Sequence, residues 1–154
     1  MKIVFLGGAG AMAAALLPYL RDDPEITSVL LADRDAEGAR KKAAAFGPKC
    51  SSVSVDATDH ASLVGTMRGA DVAIGYIGPF YRFEKPVAQA AIDAGVPYVS
   101  IADDYDAFLS VFELDDAAKK AGVKILTGFG NSPASRRCSQ KKDTCRWIRR
   151  RKFP

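Results

Sequence analysis

Short apolar runs alternate with alanine-rich stretches from residue 2 to about residue 130, and few folds accept that order. The runs are KIVFLGG, TSVLLAD, SSVSVDA, DVAIGYIG, PYVSIADD and VKILTGFG. Between them lie AGAMAAALLPYLRDD, RDAEGARKKAAAFG, DHASLVGTMRGA, FEKPVAQAAIDAG and AFLSVFELDDAAKKAG, whose leucine and alanine spacing is helical. Six strands separated by five helices, joined by gaps of a few residues, predict an α/β fold: a doubly wound parallel sheet of the Rossmann type. Most strand positions are apolar, as helices on both faces require. Pro18 falls inside the first helix, where it removes a backbone donor, so that helix is expected to kink or stop early.

The turn between the first strand and the first helix carries the chemistry. Gly8, Gly10 and Ala13 in GAGAMA match GxGxxA, and the acid Asp33 closes the second strand 20 residues beyond Ala13. The motif is weak alone and specific in this setting, with a strand before it and a helix after it. Gly8 permits the tight turn that follows Gly7, Gly10 lets the backbone approach a pyrophosphate, and Ala13 keeps the helix close to the strand. The N–H groups of Ala11 and Met12 then face the anion. The expected ligand is a nicotinamide dinucleotide. Asp33 can accept the adenosine ribose hydroxyls and repel a 2′-phosphate, which favours NAD. Arg34 beside it can hold that phosphate, so NADP stays open, and Asp33 tilts the balance slightly to NAD.

Ligands of such sheets lie beyond the carboxyl ends of the strands. Asp56 and Ala57 follow the third strand and are placed to border the adenine. After the fourth, Ile77 and Gly78 would run past the middle of the cofactor. Tyr76, Phe80, Tyr81 and Phe83 either roof the nicotinamide side or seat the loop as an aromatic cluster. After the fifth come Asp103, Asp104, Tyr105 and Asp106, at the edge where a substrate amine could sit, although at least one acid is expected to cap the next helix. His60 opens a helix on the adenine side and is not a catalytic candidate. No GxSxG elbow or HExxH motif occurs, so the catalytic residues are unassigned.

Composition narrows the partners. With 48% hydrophobic and 26% charged residues the chain is that of an ordinary globular protein. Its net charge of +4 conceals two unlike parts, because residues 134–154 hold nine bases and one acid, and the rest hold thirteen bases and seventeen acids. The folded part therefore offers no positive face to nucleic acid. Cys50, Cys138 and Cys145 form neither a disulfide framework nor a zinc site, so a reducing, cytoplasmic setting and no metal are expected. Gly7, Gly8 and Gly10 break the initial apolar run, and no window has the length to span a membrane.

In order and spelling, GGAGAM, LADRD, YIGPFYRFEKPVAQAAIDAGVPYVSIADD and LDDAAKKAGVKILTGFGNSP resemble the N-terminal NAD(P)-binding domain of the saccharopine dehydrogenase family, which includes saccharopine reductase and lysine 6-dehydrogenase relatives. The resemblance covers residues 1–133. It implies a whole enzyme that exchanges hydride with the CH–NH group of a small amino-acid substrate. It also implies a C-terminal domain carrying most of the substrate pocket and the dimer contacts, and no such domain is recognisable in the sequence.

The basic tail, residues 134–154, departs from the family pattern. Restoring one base after the Pro133 codon yields codons compatible with GVTKVLAKKGYVSMD, close to the family continuation. The expectation is a frameshifted, disordered end that leaves an inactive fragment prone to self-association. The rival is a genuine nucleic-acid arm, with Arg149 to Lys152 on phosphates and Trp147 stacked on a base.

Overall fold

A computed structural model describes residues 1–129, and the tail expectations, with Cys138 and Cys145, lie outside the described residues. The elements in chain order are β1 (Lys2–Leu6), α1 (Ala11–Arg21), β2 (Ser28–Asp33), α2 (Ala36–Phe46), β3 (Cys50–Ser54) and α3 (His60–Met67). They continue with β4 (Val72–Gly75), α4 (Phe80–Ala94), β5 (Tyr98–Ser100), α5 (Tyr105–Phe112), α6 (Asp115–Ala121) and β6 (Ile125–Leu126). The six strands form one sheet in the order β3-β2-β1-β4-β5-β6, and every pair is parallel. The chain walks outward from β1 to β3, then returns to lay β4 against the other side of β1. A crevice therefore opens at the carboxyl ends of β1 and β4, the switch point where such sheets take ligands.

Period-two alternation along the strands divides the core. Ile3 and Phe5 of β1, with Val29 and Leu31 of β2, pack against Ala13 and Leu17 of α1 and Ala39, Ala43 and Phe46 of α2. Val4, Leu6 and Ala32 face the opposite layer, where Leu63, Met67, Val87, Ala91 and Tyr98 lie. Both faces of β1 are buried, as expected for a central parallel strand.

Two local features bear on the expectations. First, α1 passes through Pro18 and ends three residues later at Arg21. Pro18 is exposed and close to the helix end, so the lost donor is tolerated, while Ala13 and Leu17 anchor the helix to the core. Second, the last crossover is two helices, not one, which gives six helices in the described residues. Leu114 takes φ −91° and ψ 0° and turns into the core, its N–H donating to the Val111 carbonyl at 3.0 Å. Asp115 and Asp116 then start α6, where acids favour the positive end of a helix.

Among the described residues one carboxyl group is in the interior. Glu84 of α4 is 2% exposed and accepts three hydroxyl donors, from Tyr98 (3.1 Å), Ser100 (2.9 Å) and Thr127 (2.9 Å). These bonds tie α4 to β5 and to the residues after β6. Burial raises the Glu84 carboxyl above its usual range, and the hydroxyl bonds offset part of that rise. Burial, reinforced by the Glu84 charge, holds the Tyr98 phenol well above its own usual value, so it stays a donor. A carboxyl whose pKa is raised on folding stabilises fully below its unfolded value of about 4.5, and the contribution is lost as pH rises through the folded value. Urea unfolding followed between about pH 4 and pH 8 should show this decline in the wild type and not in Glu84→Gln. Glu84→Leu leaves the hydroxyls without their acceptor and should cost about 1–3 kcal/mol across the range.

Candidate functional site

The turn from β1 into α1 is held at every peptide. The Gly7 and Gly8 N–H groups both donate to the Ala32 carbonyl, at 2.8 and 3.2 Å, and the Gly10 N–H donates to the Gly7 carbonyl at 3.1 Å. The Ala9 N–H donates to Asp33 Oδ2 at 2.8 Å. Gly7, not Gly8, supplies the left-handed residue of the turn, with φ +89°, and a Cβ there would lie 2.9 Å from the Tyr76 carbonyl carbon. Gly8 serves close packing: a Cβ on it would lie 2.8 Å from Leu31 Cβ and 2.9 Å from Leu31 Cα. Gly10, the exposed N-cap of α1, has only the Gly7 carbonyl oxygen near its would-be Cβ, at 3.2 Å. The fully buried Ala13 seats the helix on the sheet.

Ala11 and Met12 lie in the first turn of α1, where backbone N–H groups have no intrahelical acceptor. Both are exposed at the crevice end of the helix. A glycine cradle closed on its protein side and open on the other fits an anion approached by main-chain donors, as a pyrophosphate requires.

Asp33 terminates β2 and divides its carboxylate between two backbone donors, Ala9 through Oδ2 and Asp35 through Oδ1 at 2.9 Å. Each oxygen retains a lone pair for a ribose hydroxyl. Arg34 is exposed beside it. Asp56 is exposed after β3, with Oδ1 accepting from the Thr58 N–H at 2.8 Å and from its hydroxyl at 2.7 Å. Those bonds, the backbone one foremost and with a smaller contribution from Arg34, lower the Asp56 carboxyl below its usual range. Ala57 and Thr58 line a cavity of about 200 Å³ with His60, Leu63, Arg82 and Phe83. Phe83, considered for the nicotinamide side, thus lies by the β3–α3 loop, with the Arg82 guanidinium 5.1 Å from its ring centre.

The remaining aromatics separate. Tyr76 stacks on Phe5 at 5.7 Å with planes 9° apart, and its partial burial raises the phenol's pKa. It seats the loop, and the Ile77 nitrogen that follows lies beside Gly7, 3.1 Å from a Cβ placed there, with Gly78 next in the chain. Tyr81 is exposed, and its N–H donates to Asp104 Oδ2 at 3.3 Å. Asp104 is therefore the N-cap residue of α5 by position, while its carboxylate serves the first turn of α4. His60 pairs with Asp93 of α4 at 2.8 Å, a surface contact between helices. Cys50 is a half-buried thiol that burial raises to about 11, well away from a reactive range.

One contributor escapes sequence reasoning. Lys42 of α2 reaches back so that Nζ donates to the Ala9 carbonyl and, at 2.9 Å, to the Gly10 carbonyl. In the sequence it is one of two adjacent lysines on an amphipathic helix. It lies between the buried Ala39 and Ala43, and only the fold shows that it reaches the turn.

A parallel sheet with a glycine turn, an unpaired helix start and a strand-end acid at its switch point defines a dinucleotide-binding Rossmann domain. Residues 3–126 match the family model of the saccharopine dehydrogenase NADP binding domain, and the chain belongs to that family. It is similar to saccharopine dehydrogenase (L-Glu forming) from Saccharomyces cerevisiae, with a TM-score of 0.71 and 27% identity over 84% of this chain. It covers 27% of that enzyme's chain, so it spans about a quarter of that relative's length. The fold is shared with Citrobacter sp. triphenylmethane reductase complexed with NADP(H), at TM-score 0.63, 16% identity and coverage of 82% and 48% of the two chains. It is shared too with GenD2 from gentamicin A biosynthesis in complex with NAD, at TM-score 0.62, 19% identity and coverage of 83% and 34%. Among the described residues no helix is long and apolar enough to cross a membrane.

Gly8→Ala tests the cradle. Its Cβ meets the backbone of β2, which cannot move aside as a side-chain tip could, so overpacking should cost about 1–3 kcal/mol in denaturant unfolding. Gly65→Ala, with nothing within 4 Å of the added Cβ, is the control expected to unfold like wild type or slightly later.

Proposed function

We propose that the chain holds a nicotinamide dinucleotide at the crevice between β1 and β4 and is the cofactor-binding part of an oxidoreductase acting on an amino-acid CH–NH group. The turn from Gly7 to Met12 carries this reading, since the N–H groups of Gly7 to Gly10 are satisfied inward and the helix-start donors are left outward. When bound, the cofactor supplies hydride transfer, while these residues supply position and charge. The glycine turn and the Ala11 and Met12 N–H groups hold the pyrophosphate. Asp33 takes the ribose, Asp56 and Ala57 border the adenine, and Tyr76, Ile77 and Gly78 flank the middle of the cofactor.

For the choice of dinucleotide, the Asp33 carboxylate favours NAD. Two N–H donors fix it in place, and a 2′-phosphate beside it would be repelled. Arg34 works against this and keeps NADP within reach. Fluorescence titration should give NADH a Kd a few-fold below that of NADPH, about 1 kcal/mol or less, and Arg34→Ala should widen the gap. Tighter NADPH binding would overturn the preference, and binding of neither would overturn the function.

The chain covers about a quarter of the yeast enzyme, and the residues named above are assigned to the cofactor, with substrate recognition and catalysis unassigned. The cysteine content supports a cytoplasmic setting. Self-association is supported by an apolar stripe on α5, where Tyr105 and Phe112 are 68% and 59% exposed and Leu109 lies between them. Leu126 and Phe129 are exposed as well. Sedimentation velocity over a concentration series should show weight growing with concentration, and a monomer at every concentration would contradict it.

A further inference from the structure

The geometry points to Lys42 as a positioning residue that helps to fix the direction of the anion-binding Ala11 N–H from the outer side of the glycine turn. The inference rests on the dinucleotide reading and adds a residue to it. A trans peptide holds its C=O and N–H antiparallel, so fixing the oxygen fixes the hydrogen. Lys42 Nζ binds the Ala9 carbonyl and, at 2.9 Å, the Gly10 carbonyl, where it joins the Ala14 N–H that donates to the same oxygen at 3.2 Å. The N–H on the Gly10 carbonyl's peptide is that of Ala11, the first donor of α1. The N–H on the Ala9 carbonyl's peptide is that of Gly10, held at 3.1 Å to the Gly7 carbonyl.

Asp33 fixes the preceding peptide through the Ala9 N–H at 2.8 Å. A carboxylate from β2 and an ammonium from α2 thus hold three consecutive peptides by charge-assisted bonds, and Ala11 N–H is directed away from α2. An ammonium on a carbonyl also polarises the whole amide, making its N–H a stronger donor to an anion. Lys42 is partly buried, so solvent competes with these bonds less than it would at an open surface.

Four proteins test this: wild type, Lys42→Met, Lys42→Arg and Lys41→Met. Lys41 is the exposed neighbour, paired with Glu37, and removes the same charge without touching the turn. NADH binding should weaken about tenfold in Lys42→Met, stay within about threefold in Lys42→Arg, and stay within about twofold in Lys41→Met. Amide hydrogen exchange without cofactor should speed up about tenfold at Ala9 and Gly10 in Lys42→Met alone. Unchanged exchange there, or equal affinity losses in Lys41→Met and Lys42→Met, would overturn the role of Lys42. Absence of NADH binding by the wild type would instead overturn the dinucleotide reading, and the exchange experiment would still decide the clamp.

Discussion

The approach of Gly8 to Leu31 is the constraint on which the rest depends. With a Cβ position 2.9 Å from Leu31 Cα, the turn after β1 lies against the backbone of β2 with no room for a side chain. Both of its first N–H groups converge on the Ala32 carbonyl, so the turn is registered to β2 as firmly as the strands are to each other. From that contact follow the seat of Ala13 on the sheet, the axis of α1 and the place where its unpaired N–H groups emerge. Main-chain donors presented in this way need no reorganisation to meet an anion, and the cost of ordering them is met when the chain folds.

The two sides of the sheet use different physics. Beside α1 and α2, apolar packing is continuous, and the charged groups Asp33 and Lys42 stay at the rim, acting on backbone. Beside α4, a carboxylate is taken inside and satisfied by hydroxyls from β5 and from the residue after β6. Neutral donors compensate a buried charge only in part, which is why Glu84 is raised and not lowered. The short strands β5 and β6 have few ladder bonds between them, and the Glu84 network gives that end of the sheet a second attachment to α4.

Much of this was legible in the sequence. The alternation of periods two and 3.6 revealed all six strands and their parallel arrangement, because burial leaves apolar residues at most strand positions, with the edge strand β3 (CSSVS) marked by alternation instead. The glycine turn and Asp33 were legible together because their chemistry depends on local order. The break between α5 and α6 was not, since Glu113 and Leu114 carry no breaker, and Leu114 turns inward only because the core is there to receive it. Which glycine turns left-handed was also hidden: Gly7 and Gly8 both permit it, and the backbones of β4 and β2 decide. Asp104 serving α4, Phe83 lying by the β3 loop and Lys42 reaching the turn all join elements distant in sequence. No local pattern encodes them.

The central claim is that the main-chain N–H groups of Ala11 and Met12, presented by the glycine turn at the start of α1, receive the cofactor's phosphates. Amide resonances followed by heteronuclear NMR during addition of NADH test it most directly. The largest shifts are expected at Ala11 and Met12, with smaller ones at Gly10, Asp33 and Ala57 and none along α6. Binding that leaves Ala11 and Met12 in place while moving other resonances would contradict it.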